Sequence, residues 1–539
     1  MAVKQRRNRL ILITVLVLSS VTAWLFWPLA SDEFLIIPDQ QKIRAKESFL
    51  KETVSDLGQS RPNIIVLVAD DLGKTDLPLY GNKVVEAPNI TALASEGAVF
   101  NEAYVSASIC SPSRAGLLTG RYQQRFGYEL QPVNNYLKNR FLKLFVNNTF
   151  DLQELEFADY DKVPNQEAIG QQGLPEQEIT IAGLLKKNGY ATGIIGKWHQ
   201  GDAEQFRPLK HGFDYHYGFY EAFSWFDDTT KTVNVRHKGI MDSHIWEQGN
   251  TGRAAKRRNN EIIKVDEFYT YALAREANQF MEKNKARPFF LYVPFNAPHT
   301  PFQALKEDVQ KYKAKGIKDL NQAVYYSLIT GLDSAIGQIH DKVKSLGLED
   351  NTLIVFLSDN GGATYTGATD NAPLKGGKMS LYEGGINIPF VVKWKGKVKP
   401  GTIVDTPVSS LDIFATAAGV TGSLLPKDRI YDGVNLISFL TGKDKSNPHN
   451  ILYWRAGYNK AIRKGDWKLV LNLKDDITAL YNLKSDKSEK NDISAQNASK
   501  VEELKKDLAS WEKQLIKPLW PSSGFYKNDI NGKSDRFTL

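Results

Sequence analysis

Cysteine is nearly absent from this chain: Cys110 is the only one in 539 residues. An internal disulfide is therefore excluded in any compartment. Internal repeats and low-complexity tracts are lacking too, so nothing suggests a solenoid array or a chain without a core. Strong charge of one sign is also missing. The formal charge is +8, and Lys4, Arg6, Arg7 and Arg9 supply half of it from the extreme N-terminus. What remains is a mild excess, suited to an acidic glycan and not to a nucleic-acid footprint.

Apolar material is sufficient for a sizeable core. Hydrophobic residues make up 42% of the chain and aromatics 11%, ordinary values for a globular protein. The length fits one large domain and a smaller one. Residues 1–30 read as an export device, in which a basic segment precedes an apolar run from Leu10 to about Ala30. That run is close to the roughly 20 residues that cross a bilayer. Pro28-Leu29-Ala30 is a poor cleavage site, so an uncleaved signal anchor is expected, with a cleaved signal peptide as the alternative. Basic residues before the span keep that end cytoplasmic. The body is then exported, to the periplasm or the cell surface, anchored in the inner membrane by residues 10–30.

Residues 31–60 read as a linker with one short helix. Asn63–Ala69 is a continuous apolar run of the kind buried on both faces of a parallel sheet, and it ends in Asp70-Asp71-Leu72-Gly73. Three more runs share that grammar. Tyr190–Ile195 ends in Gly196-Lys197-Trp198-His199, Phe289–Val293 runs on to Asn296 and His299, and Leu353–Leu357 ends in Ser358-Asp359-Asn360-Gly361-Gly362. Between the runs lie stretches of helical period at Asn89–Glu96, Ile179–Asn188, Phe268–Lys283 and Tyr325–Leu346. The alternation predicts an α/β fold, a large mixed, mostly parallel sheet covered by helices on both faces. In such sheets ligands gather at the carboxyl ends of the strands, where each run places its polar residues.

Residues 130–172 and 220–262 interrupt the rhythm and read as functional loops. A polar stretch near Leu440–Asn450 marks a boundary. A catalytic domain is therefore expected over 61–445 and a smaller antiparallel sheet plus helix over 446–539. Its strands are predicted at Ile451–Trp454, Lys460–Arg463, Trp467–Asn472 and Ala479–Asn482, and its helix at Lys500–Leu515.

The most patterned stretch is Cys110-Ser111-Pro112-Ser113-Arg114. Pro112 suits the first turn of a helix, which puts Cys110 at an N-terminus whose free N–H groups favour an anion. Arg114 can fold back over the same end and present a planar, permanently charged fork. Asp70, Asp71, Asp359 and Asn360 offer oxygens alone, the preference of a hard cation such as calcium or magnesium. No adjacent histidine invites zinc. Each pattern by itself also suits an inert buried thiol, a helix cap or a turn; their coincidence in one chain favours a site.

Cys-x-Pro-Ser-Arg followed by Leu118-Thr119-Gly120-Arg121 resembles the signature of the type I, formylglycine-dependent sulfatases of the alkaline-phosphatase-like superfamily. The resemblance runs from Asn63 to about Lys443 and includes Arg207–Asp214 and Leu381–Gly385. It implies that a maturation enzyme oxidises Cys110 to formylglycine, whose hydrate is the nucleophile. It also implies that Asp70, Asp71, Asp359, Asn360 and the modified Cys110 ligate Ca2+, with Mg2+ as the alternative. Arg114 matches the residue that steadies the hydrate, Lys197 and His199 the pair beside it, and His299 and Lys375 the pair that holds sulfate and its leaving oxygen. One hydroxyl of the hydrate attacks sulfur, and His299 or Lys375 protonates the sugar oxygen. His199 then helps to deprotonate the second hydroxyl so that sulfate is expelled.

The substrate implied is a sulfated carbohydrate for a bacterial polysaccharide sulfatase: a galactan such as carrageenan first, a glycosaminoglycan next. His211, Trp225, His237, His244 and Trp246 are the expected sugar contacts. Two rivals remain open on the same scaffold: a phosphatase or phosphonate hydrolase, and a non-catalytic glycan-binding protein with an unconverted cysteine. A Cys–His hydrolase is disfavoured, since no paired histidine lies near Cys110.

Overall fold

The strand Asn63–Ala69 (β1) is buried along its whole length, and its alternate side chains serve two cores. Ile64, Val66 and Val68 enter one; Ile65, Leu67 and Ala69 enter the other. A continuous apolar run needs such two-sided burial, and helices on both faces supply it. The computed structural model describes residues 2–539 apart from 33–35, 37, 53–60, 134–135, 150–154, 159–161, 238–239 and 531–532.

β1 sits within a ten-stranded sheet. The other members are Ala98–Phe100 (β2), Ala191–Lys197 (β3), Tyr215–Phe219 (β4), Arg257–Arg258 (β5), Glu261–Ile262 (β6), Phe289–Pro294 (β7), Thr352–Ser358 (β8), Phe390–Lys393 (β9) and Thr402–Val404 (β10). Their order is β6-β5-β4-β3-β7-β1-β8-β9-β2-β10. The central run β4-β3-β7-β1-β8 is parallel throughout, and β9 pairs antiparallel with β8. The sheet is thus mixed and mostly parallel, as the apolar runs predict. Helices Pro88–Ser95, Tyr269–Asn284 and Leu320–Ser345 pack on one face; Cys110–Thr119, Ile181–Lys187 and Asp412–Thr421 pack on the other. Leu320–Ser345 begins earlier than its apolar period suggests because the Asp319 side chain caps it, accepting from Asn321 N.

The C-terminal part holds an antiparallel meander of Ile451–Ala456 (β11), Asn459–Lys464 (β12), Trp467–Asn472 (β13) and Ile477–Asn482 (β14). Helix Ala498–Glu512 covers one face of it through Val501, Leu504, Leu508 and Trp511. Beyond the expected elements lies a hairpin, Gly524–Ile530 with Lys533–Thr538, paired to Leu155–Phe157 of the first excursion. Its run Lys527-Asn528-Asp529 has too little apolar alternation to read as a strand in the sequence. At the other end, Ala2–Phe26 is one helix, of which Lys4–Phe26 is long and apolar enough to cross a membrane. Within residues 31–60 the described part includes a helix, Gln40–Lys51; residues 33–35, 37 and 53–60 lie outside the described residues.

Candidate active site

Strand register brings the acidic residues together. Ser358 of β8 lies opposite Ala69 of β1, so Asp70 and Asp359 leave the sheet side by side, with Asp359 N donating to Ala69 O at 3.1 Å. Asp70 N donates to Ala297 O at 3.0 Å, which ties the loop after β7 to the same point. Asp71 adopts a left-handed backbone, φ 63°, and its N–H donates to Asp359 Oδ1 at 3.2 Å. Asn360 Nδ2 then donates to Asp71 Oδ1 at 2.8 Å.

Cys110 is the first residue of helix Cys110–Thr119. Its Sγ lies 3.6 Å from Asp70 Oδ1 and 3.8 Å from Asp71 Oδ1. Arg114 folds back from the next turn, placing Nη2 2.7 Å from Asp359 Oδ2 and 3.2 Å from Asp70 Oδ1. Lys197, the last residue of β3, reaches both Asp70 oxygens at 2.9 and 2.8 Å. His199 follows in a left-handed conformation, φ 53°, and its carbonyl accepts from Ser111 Oγ at 2.6 Å. His199 Nδ1 is buried with no hydrogen-bond partner among the described residues. His299 Nε2 is 3.5 Å from Asp71 Oδ2, while its Nδ1 lies 2.5 Å from Thr300 O.

Burial dominates the electrostatics. It pushes the Asp70 carboxyl up to about 7, against the pull of Lys197. For Asp71 burial pushes the same way, but Lys378 and His299 outweigh it and hold the carboxyl low. Asp359 is held low by Arg114 in spite of its burial. Burial, reinforced by Lys378, brings His299 down to about 3. Burial and then Lys197 and Arg114 keep His199 neutral as well. The Cys110 thiol is pushed up by burial, so it is no thiolate near neutral pH and a poor direct nucleophile.

The oxygens of Asp70, Asp71, Asp359 and Asn360 are the donors that would suit a hard divalent cation. Donor atoms of Asp70, Asp71, Cys110 and His299 all lie within 4.8 Å of one another. Asn360 Oδ1 adds a buried acceptor that has no hydrogen-bond donor among the described residues.

Lys375 does not join this group. Its Nζ donates to Tyr481 OH at 3.0 Å and lies 4.2 Å above the Tyr382 ring, turned toward the C-terminal sheet. The lysine of this loop that joins Lys197 in the site is Lys378, with Nζ 2.8 Å from Asp71 Oδ2. The intervening glycines explain the exchange. Gly376 turns the chain at φ 71°, and Gly377 passes so close to Gly362 that a Cβ would stand 2.6 Å from its carbonyl oxygen. Lys378 N donates to that same carbonyl at 3.0 Å, which aims the side chain at Asp71. A lysine directly after a Gly-Gly pair was the available signal.

Four of the five expected sugar contacts lie on or beside helix Ile240–Gln248, where His237 N donates to Asp242 Oδ2 at 2.9 Å. His211 is buried beside Trp198, ring centroids 5.7 Å apart. His237 Nε2 lies 2.9 Å from Asn321 Oδ1, and His244 sets its ring edge-on to Phe223. Trp225 and Trp246 pack on each other at 5.9 Å, with Arg236 4.8 Å over Trp246. Ser224, next to Trp225, accepts from Asn296 Nδ2 at 3.4 Å through its carbonyl oxygen.

Comparison with known proteins identifies the family and the fold. A family model described as Sulfatase matches residues 62–423, and one described as N-sulphoglucosamine sulphohydrolase, C-terminal, matches residues 377–516. The N-acetylgalactosamine-6-sulfatase of Homo sapiens is 32% identical over 413 residues, covering 76% of this chain and 71% of that protein. The crystal structure of Ps i-CgsB superposes with a TM-score of 0.71 at 33% identity, over 85% of this chain and 94% of that one. Its complex with k-i-k-neocarrahexaose gives 0.70. A phosphonate monoester hydrolase of Agrobacterium radiobacter, at 19% identity and a TM-score of 0.55, shares the fold. With the alkaline-phosphatase-like sheet and a matched span of this length, the chain belongs to the sulfatase family.

Proposed function

We propose that this sulfatase hydrolyses sulfate esters on a carbohydrate, a sulfated galactan of the carrageenan kind first and a glycosaminoglycan second. The observation that carries the reading is the ring of side chains around Cys110. One thiol at a helix N-terminus faces Asp70 and Asp71 and shares them with Arg114, Lys197 and Lys378. Asp70, Asp71, Asp359, Asn360 and residue 110 would hold calcium, or magnesium, as a Lewis acid for the sulfuryl oxygens. Converted to formylglycine by a maturation enzyme, Cys110 would supply a hydrate with one hydroxyl to attack sulfur and a second to expel sulfate.

The remaining steps belong to the chain's own groups. Arg114 orients residue 110 and holds Asp359. Lys197 and Lys378 set positive charge where negative charge grows on the sulfuryl oxygens, which favours the transition state over the ground state. Lys378, held protonated beside Asp71, is the group placed to hand a proton to the leaving sugar oxygen. His299 donates from Nδ1 to Thr300 O and presents Nε2, which can share that role only when it too is protonated. His199, neutral and with a free ring nitrogen, is the base for the second hydroxyl. The choice of galactan follows the neighbour that binds k-i-k-neocarrahexaose; the glycosaminoglycan option follows the N-acetylgalactosamine-6-sulfatases. The apolar helix Ala2–Phe26 supports export with a membrane anchor, to the periplasm or cell surface.

The test joins two measurements. Intact mass of the Cys110 peptide is expected to show sulfur and two hydrogens exchanged for one oxygen. Sulfate release is then assayed over a panel of sulfated galactan and glycosaminoglycan oligosaccharides. A converted residue without sulfate release from any of them, or faster release of phosphate than of sulfate from matched esters, would refute the reading.

A further inference from the structure

Helix Arg140–Thr149, sequence RFLKLFVNNT, carries apolar side chains that stay more than a third exposed. Phe141, Leu142, Leu144 and Phe145 are 37%, 38%, 49% and 41% exposed, whereas Val146 points inward. An amphipathic helix ordinarily turns such a face to the core, and contiguous exposed apolar groups mark a surface meant to be covered.

The neighbouring element indicates what covers it. The ring of Phe26, at the end of the N-terminal apolar helix, stacks on Phe141 with centroids 4.3 Å apart. Arg140 lies 4.9 Å over Trp24. Leu29 N donates to Lys138 O at 2.8 Å, and Pro28 bridges to Asn139. The exposed apolar face is therefore continuous with the exposed side chains of the spanning helix, from Leu10 to Phe26, and with Trp27 just beyond it. Trp24 and Trp27 are of the type that settles at the boundary between lipid tails and headgroups. Lys138 and Arg140, at the same junction, are of the type that reaches lipid phosphates from an apolar stem.

We infer that Arg140–Thr149 is a second membrane contact, an interfacial helix lying at the headgroup–acyl boundary of a phospholipid bilayer beside the exit of the N-terminal span. This rests on the reading of Ala2–Phe26 as a membrane anchor. One span lets the body rotate about its axis; a second contact at its foot removes that freedom and fixes which side of the enzyme faces away from the lipid.

The experiment uses the full chain in vesicles of phosphatidylethanolamine and phosphatidylglycerol. An environment-sensitive fluorophore is attached through Phe145→Cys, Leu16→Cys or Leu424→Cys in separate proteins. Cys110 is buried and stays unlabelled. Release of sulfate at the parental rate reports that each labelled protein is folded. The probe at position 145 is expected to lose most of its emission to shallow doxyl-labelled lipid and little to aqueous iodide, as the probe at position 16 does with deeper doxyl groups. The probe at 424, on a residue 82% exposed, should behave in the opposite way. Quenching at 145 by iodide, with position 16 quenched by lipid, overturns the inference and leaves the anchor intact. Iodide quenching at position 16 overturns both. Protection of position 145 from both quenchers assigns the face to a protein partner, such as a second copy, and overturns the lipid assignment.

Discussion

Lys378→Ala and Lys375→Ala are expected to behave very differently, although the two residues lie three apart in one loop. Lys378 Nζ is buried and 2.8 Å from Asp71 Oδ2, where a sulfate ester would meet the side chains around Cys110. Removing a preorganised donor aimed at developing charge costs about 10²–10³ in turnover. The Asp71 carboxylate would also lose its strongest compensating charge. The stability loss should fall below the roughly 3–5 kcal/mol of a broken buried pair, because Asn360 Nδ2 remains 2.8 Å from Asp71 Oδ1. Lys375 is half-buried, with a hydrogen bond to Tyr481 and two aromatic rings beneath it. Truncating it removes contacts worth about 1 kcal/mol and should leave sulfate release close to the parental rate. Initial rates at saturating and subsaturating substrate, with urea unfolding of both variants, separate the two cases. Near-parental turnover in Lys378→Ala together with a hundredfold loss in Lys375→Ala would show that the glycine-pair argument has the loop the wrong way round.

Cys110→Ala should reduce sulfate release to background while costing on the order of 1 kcal/mol in unfolding free energy; turnover retained in the variant would remove Cys110 from the mechanism. Exhaustive EDTA treatment should inhibit, and added calcium should restore the rate; a fully chelated enzyme with full activity would count against a cation at Asp70, Asp71, Asp359 and Asn360. Lys468→Met strands two buried carboxylates, since Lys468 Nζ lies 2.8 Å from both Glu383 and Glu489; urea unfolding should register a loss of about 3–5 kcal/mol, and a loss under about 1 kcal/mol would contradict the buried pairing. His449 is held above its ordinary value because Asp412, 2.7 Å away, outweighs its burial. The pair's contribution is therefore complete below the unfolded histidine value and fades as pH rises through the raised folded one. The stability gap between wild type and His449→Asn should accordingly narrow on going from mildly acidic to alkaline pH; a gap that widens would reverse the assigned sign.

The legible part of this site is the part governed by the sheet. Runs such as Asn63–Ala69 and Leu353–Leu357 declare themselves because burial on both faces leaves them without polar residues, and their abrupt ends mark the carboxyl edge where ligands collect. The less legible features depend on the backbone path outside the sheet. Asp71 and His199 both take left-handed conformations without being glycine, a choice imposed by the hydrogen bonds around them and invisible in their own side chains. Lys375 and Lys378 differ only through the turn between them. The final hairpin escaped because its partner, Leu155–Phe157, lies far away in the chain. Even the acidic cluster rests on a register that no single segment encodes. Strand side chains alternate between faces, so a slip of β8 by one residue against β1 would turn its apolar set to the wrong core. It would also carry Asp359 off the step at which its carboxylate meets Asp71 N and the Arg114 fork. The packing of Leu353, Val355 and Leu357 into one core and of Ile354 and Phe356 into the other penalises that slip. The apolar residues thereby set the geometry of the charged ones.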